Sequence, residues 1–247
     1  MIVFQFLALT FTISLLGFAC IFVLPFARSP DNLKGLPFWL VMVWGPSLAA
    51  MILAYANGNL LDLLGRAVRV SGVPMSVWLL VLSPLVVLFL MRKRAPEKAS
   101  KIGVGALVGM VVFNLLLGPL GEELGWRGFM QEHLTPQFGW LVASLAVGLV
   151  WAVWHLPLWA IDSPHAKISL PAFLVHVMLY SVIIGAAYTL SGGSILPAIL
   201  LHLTLNLASN LAVNVGYREP SSWFHASMLP YAILAIGSVV LVFLTAA

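Results

Sequence analysis

Six polar side chains could do chemistry in this chain, and they fall in three groups. The first is Glu122, Glu123 and Arg127, inside Gly121-Glu122-Glu123-Leu124-Gly125-Trp126-Arg127-Gly128; the second is His155; the third is His202 with Asn206. Glu123 and Arg127 are four residues apart, so on a helix they share a face and can form an ion pair. Glu122 is turned about 100° from Glu123 and is free to face something else. Trp151 and His155 are also four apart, as are His202 and Asn206, with Asn210 and Asn214 continuing that stripe. Two acids, two imidazoles and a carboxamide make a hydrolytic kit. A glutamate in a water-poor site can take a proton from water as that water attacks a carbonyl. A histidine beside it can orient the water. A second histidine and an asparagine can donate hydrogen bonds to the oxyanion that forms, each donor being worth roughly 3–4 kcal/mol. Arg127, paired with Glu123, would hold the acidic segment in place.

The same residues also have a purely structural reading. Polar side chains in membrane helices hydrogen-bond across helices for about 0.6–2 kcal/mol each. Asn210 and Asn214 fit that description, and His176 and Tyr180 read as packing or interface residues. Against it stands the cost of placing ionisable groups in a bilayer, about 2.5 to more than 10 kcal/mol by different estimates, which makes function the default for Glu122 and Glu123. Gly192-Gly193-Ser194 reads as a turn, since no Gly-x-Ser-x-Gly context surrounds the serine. His133 and His165 read as solvated loop residues. No His-Glu-x-x-His and no Gly-rich phosphate loop is present.

The elements that carry these groups must be membrane helices. The sequence is 62% hydrophobic and 8% charged, with a mean hydropathy of +1.05, against roughly 25% charged in soluble domains. Its apolar runs are continuous rather than alternating, which excludes a β-barrel. The fold class is all-α, a polytopic transmembrane bundle of about eight helices forming one integral membrane domain over 1–247. The expected spans are about 2–26, 36–56, 73–91, 102–136, 138–161, 168–190, 194–215 and 228–247, all but the longer fourth near the ~20 residues a crossing needs. Ser29-Pro30-Asp31-Asn32 closes the first span, which is too long for a signal-peptide core and is read as retained. Residues 60–69 read as a short amphipathic helix in the membrane interface. Pro136 is expected to stop the fourth span. Glu122 then lies 14 residues before that point and His155 19 after it, a depth mismatch of about 7 Å between antiparallel helices.

Charge and cysteine content narrow the class further. Alternate loops hold Arg28, Lys34, Arg92, Lys93, Arg94, Lys98, Lys101, Lys167 and Arg218, while the opposite loops hold Arg66 and Arg69, plus Arg127 if it is exposed. The positive-inside rule therefore puts both termini outside the cytoplasm. The net charge of +4 fits anionic headgroups rather than nucleic acid. The single cysteine, Cys20, allows neither an intramolecular disulfide nor a cysteine metal cluster, and behaves as a small apolar side chain.

The order Glu122-Glu123-x-x-x-Arg127, Trp151-x-x-x-His155, His202-x-x-x-Asn206 resembles the three-motif signature of the CAAX-processing and bacteriocin-processing membrane endopeptidases (the CPBP, or Abi, family), which includes the type II CAAX prenyl endopeptidases. The resemblance covers about 103–216. The first motif is the most specific, because Trp126-Arg127-Gly128 also matches. One departure is Trp151, where the family usually has Phe. The resemblance implies a multi-pass protein of the cell membrane whose partners are membrane lipid and a peptide or lipidated protein substrate. It implies Glu122 as general base with His155 assisting, His202 and Asn206 as the oxyanion hole, and Glu123, Arg127 and Trp151 in support. The family has been read both as metal-free and as zinc-dependent. No cofactor is favoured here; a zinc site would draw on Glu122, His155 and His202. The competing classes are a non-catalytic scaffold or bacteriocin-immunity protein and a proton-coupled transporter. No repeated half and no paired broken helices of the transporter kind are visible in the sequence.

Overall fold

A computed structural model describes residues 1–30, 32–161 and 163–246. Asp31 of the first turn and Ala247 of the last span lie outside the described residues. The helices are α1 (Ile2–Val23), α2 (Leu36–Ala56), α3 (Leu60–Val68), α4 (Met75–Met91), α5 (Val104–Leu116), α6 (Pro119–Gly125), α7 (Glu132–His155), α8 (Leu170–Leu190), α9 (Leu196–Val215) and α10 (Pro220–Ala246). Among the described residues, seven helical runs are long and apolar enough to cross a membrane. The longest, Val104–Ala160, folds back on itself, so its two limbs run antiparallel. Large apolar side chains such as Phe4, Leu16, Phe89 and Phe243 point outward, as expected where lipid rather than water is the solvent. The chain is a multi-pass integral membrane protein.

The fold-back is where the structure departs most from expectation. The fourth span is not one α-helix: α5 ends at Leu116, α6 restarts at Pro119, and Trp126–Gln131 winds as a π-helix before α7 begins. Pro136 does not stop the helix. The break comes at Gly139, whose φ of 76° and ψ of 158° lie where a side chain is disfavoured. Beyond it the chain returns antiparallel. Glu122 meets Trp151, and about two turns on, a Cβ on Gly185 would touch both Gln131 and Ser144. With the reversal at Gly139, Glu122 lies 17 residues before it and His155 16 after, which removes the 7 Å mismatch anticipated from Pro136. Such irregular helix is tolerated at membrane depth only where protein covers it, and Gly121–Gln131 are all buried.

Around this hairpin the packing is close. α8 and α9 are the most enclosed spans, with 67% and 61% of their apolar windows buried, against 33% for α1 and 22% for α10, so α9 brings His202 into the centre. α2 lies against α6, with Ser47 Oγ donating to the Leu120 carbonyl at 2.9 Å and Trp44 Nε1 to that of Leu116 at 2.8 Å. α1 meets α2 where Ser14 Oγ donates to the Met42 carbonyl.

The two ends of the bundle differ in charge. α3 seals one end: Leu63 is buried, and Arg66 donates to Tyr188 Oη at 2.9 Å and to the Gly128 carbonyl at 3.0 Å. Tyr188 donates in turn to Glu132, and Arg69 reaches the Ser191 and Gly192 carbonyls. The amphipathic helix is thus pinned to the α8–α9 turn by its arginines. That turn holds Ser194, whose hydroxyl donates to the Arg69 carbonyl at 2.6 Å. α1 begins at this end, with Phe6 against Trp126 and Phe129. α10, which runs parallel to α8 through Ser221–Lys167, His176–Ser227 and Tyr180–Tyr231, ends there too. The opposite end gathers the basic loops, where Arg218 pairs with Glu97 at 2.5 Å.

Candidate active site

Three helical segments deliver the polar residues to one buried place. α6 supplies Glu122 and Glu123, α7 supplies Trp151 and His155, and α9 supplies His202 and Asn206. Glu122, Glu123, Arg127, Trp151, His155 and His202 are all at most 8% exposed.

The two carboxylates have different surroundings. Glu123 is fully enclosed and holds two partners: Arg127 Nη1 at 3.2 Å and His202 Nδ1 at 2.7 Å. The pairing with Arg127 is the i,i+4 relation the sequence predicts. Arg127 is held further by Ser181 of α8, donating to its hydroxyl at 3.0 Å and its carbonyl at 3.4 Å, while Ser181 Oγ donates to the Ser144 carbonyl at 2.7 Å. One arginine therefore ties α6, α7 and α8 together. Glu122 forms no ion pair among the described residues; it accepts a hydrogen bond from Trp151 Nε1 at 2.6 Å.

The imidazoles are oriented by their Nδ1 atoms. A carbonyl oxygen only accepts, so His155 Nδ1, 2.8 Å from the Trp151 carbonyl, carries the proton, and Nε2 of a neutral ring presents a lone pair. His202 Nδ1 likewise donates to Glu123, leaving its Nε2 towards the site. The Trp151 ring lies edge-on to both imidazoles, at 5.5 Å from His155 and 5.1 Å from His202, and 5.3 Å below the Arg127 guanidinium. Asn206 is one turn from His202 and half-buried, its amide packed against Gly118, where a Cβ would stand 3.0 Å from Nδ2. Gly118 lies in the break between α5 and α6, so that break makes room for the asparagine.

Some residues lie elsewhere than the sequence implies. His165 is not a solvated loop residue. It sits in a short 3-10 turn, Pro164–Lys167, and packs on His155 at 5.8 Å, Phe173 at 5.5 Å and Trp159 at 5.9 Å. Burial lowers its pKa to about 4. Together with the 3-10 turn Leu156–Ala160 it roofs the site on the side of the basic loops. His133 lies in α7, half-buried, with Nδ1 donating to the Phe129 carbonyl at 2.7 Å. His176 joins α8 to α10 through Ser227 Oγ at 3.2 Å. Asn210 Nδ2 donates to Asn114 Oδ1 at 2.7 Å, bridging α9 to α5. Sequence reasoning missed Ser181 and His165, and neither carried a signal: a serine in an apolar helix and a histidine in a loop are both ordinary. Among the described residues, no three His, Cys, Asp or Glu side chains are gathered so as to hold a metal ion.

Comparison with known proteins bears on the same segment. Residues 104–208 match the family described as type II CAAX prenyl endopeptidase Rce1-like. Over 108 residues the chain is 30% identical to CAAX prenyl protease 2 of Methanococcus maripaludis, a match that covers 41% of this chain and 40% of that relative. The chain thus matches about two fifths of the relative's length. Glu122, Glu123, Arg127, Trp151, His155, His202 and Asn206 all fall inside the matched residues. Through this segment the chain is similar to the type II CAAX prenyl endopeptidases.

Proposed function

We propose that this protein is an intramembrane endopeptidase that hydrolyses a peptide bond of a membrane-associated, lipidated substrate of the CAAX type. One observation carries the reading: of two adjacent buried carboxylates, Glu123 is taken up by Arg127 and His202, whereas Glu122 forms no ion pair among the described residues. An enclosed carboxylate that forms no salt bridge in a membrane bundle is costly unless it works.

In this reading Glu122, steadied at Oε2 by Trp151, takes a proton from water through its other oxygen. His155 Nε2 orients the same water. The resulting hydroxide attacks the substrate carbonyl carbon, and the oxyanion accepts hydrogen bonds from His202 Nε2 and Asn206 Nδ2. His202 donates from Nε2 as imidazolium, since its Nδ1–H is on Glu123. The tetrahedral intermediate collapses as the C–N bond breaks, and Glu122 returns its proton to the leaving amine. Catalytic Glu122, His155, His202 and Asn206 with supporting Glu123, Arg127 and Trp151 form the core of a single membrane domain, about 103–216. A zinc ion on Glu122, His155 and His202 fits these residues poorly as they stand, because they do not gather into a ligand set, and no step here depends on one.

An apolar groove of about 440 Å³ runs between α1 and the 3-10 turn after His155, lined by Leu15, Phe18, Phe22, Pro157, Ala160 and Ile161. It opens to lipid two residues beyond His155 and offers a route for a substrate's lipid chain.

The test is cleavage of a fluorogenic farnesylated peptide by the purified protein in bilayers. Wild type should cleave, Glu122→Ala should not, and a zinc chelator should leave the rate unchanged. Loss of cleavage with chelator, restored by zinc, would replace the metal-free mechanism. An inactive wild type across a broad peptide panel would favour the scaffold reading.

A further inference from the structure

Trp151 stands where the family pattern has phenylalanine, and in this chain it touches Glu122, Arg127, His155 and His202. Its indole N–H donates to Glu122 Oε2 at 2.6 Å. Its backbone carbonyl accepts from His155 Nδ1 at 2.8 Å. Its ring packs edge-on to His202 at 5.1 Å and lies under the Arg127 guanidinium at 5.3 Å. Phenylalanine could supply the ring contacts and the carbonyl, but not the N–H.

We propose that Trp151 is the positioning residue for the general base of this enzyme, fixing Glu122 through a hydrogen bond that a phenylalanine at the same place cannot make. The inference rests on the endopeptidase reading above. A buried glutamate has three side-chain torsions, and the 2.6 Å indole bond from Trp151 restricts them, with the Trp126 side chain also beside the carboxylate. The indole donor holds one oxygen. The other is then left for water, and freedom that would otherwise be lost at each turnover is already removed. The donor sits on a side chain that is itself 3% exposed and wedged between α6 and α9, so its own position is fixed by packing. Placing the same residue's carbonyl on His155 couples the two groups that must share one water. A one-residue shift of α7 would displace both together.

The experiment compares wild type, Trp151→Phe and Glu122→Gln, as full chains in detergent or bilayers, by two readouts. The first is the indole N–H resonance of Trp151 in a 15N-tryptophan-labelled sample, identified as the signal missing from Trp151→Phe. It should lie downfield of the other indoles and move in Glu122→Gln, since a charged acceptor has become a neutral amide. The second is kcat and KM on the farnesylated peptide. Trp151→Phe should lose roughly tenfold or more in kcat, the scale of one hydrogen bond to a charged group, with KM and thermal midpoint nearly unchanged. A purely structural role would lower the thermal midpoint or raise KM instead. An indole signal indifferent to Glu122→Gln overturns the proposal whether or not the protein cleaves peptides. So does a Trp151→Phe variant with unchanged or higher kcat. If the signal moves but wild type cleaves nothing, the endopeptidase reading is what fails, and the catalytic meaning of the contact falls with it.

Discussion

His202 Nδ1 lies 2.7 Å from Glu123 Oε1, so the imidazole of α9 is anchored by the second acid of the pair and not by the first. The first acid is thereby left for other work. Adjacent residues on a helix point about 100° apart, and here that angle gives the two carboxylates different partners, Arg127 and His202 for Glu123 and Trp151 for Glu122.

Replacing Glu122 by Gln should therefore cost activity and spare the fold. A loss of roughly 10²–10⁴ in kcat is the range for a removed general base, and the thermal midpoint in detergent should stay near wild type. Residual activity close to wild type would remove Glu122 from the mechanism.

Arg127→Met should do the reverse. It leaves Glu123 buried with one partner fewer and cuts the tie to Ser181. Breaking a buried pair from one side destabilises by about 3–5 kcal/mol. Unfolding measured by steric trapping or thermal scan should show it, and a stability unchanged within about 0.5 kcal/mol would mean that the pair is dispensable. Ser181→Ala, which removes only one of Arg127's contacts, should show a smaller loss of the same sign.

Gly125→Ala tests the approach of α6 to α2. A Cβ there would stand 2.5 Å from the backbone carbonyl carbon and oxygen of Pro46, atoms that cannot swing aside. The helices must part, at a cost of about 1–3 kcal/mol, and the acidic pair moves with α6. Both stability and kcat should fall. A variant with wild-type values in both would show that the contact has slack.

The roof over His155 should loosen in acid. His165 takes a proton near pH 4 when packed, against 6.5 for an ordinary histidine. A loosened roof thus binds a proton that the packed roof refuses, so packing weakens as pH falls from 6.5 towards 4 and is unaffected above 6.5. Limited proteolysis within 156–169 should rise across that window, and His165→Phe should flatten the rise. An unaltered pH profile in the variant would assign the effect to another group.

The sequence alone determined the class of this protein and the identity of its polar groups. Eight apolar runs dictate a helical membrane bundle, because a bilayer accepts no other backbone of this composition. The i,i+4 spacings of Glu123–Arg127, Trp151–His155 and His202–Asn206 follow from helix geometry and needed no coordinates. What spacing cannot give is the partner across a helix interface. That His202 binds Glu123, that Trp151 binds Glu122 and that Ser181 anchors Arg127 depend on the relative depth and rotation of α6, α7, α8 and α9. Those were decided by packing: by the reversal at Gly139 instead of Pro136, by the break at Leu117–Gly118 that admits Asn206, and by the π-helix over Trp126–Gln131. Each is a local departure from ideal helix that neighbouring helices stabilise, and single-helix periodicity carries no information about neighbours. His165 was illegible for the same reason, since only the fold brings a loop histidine down onto His155.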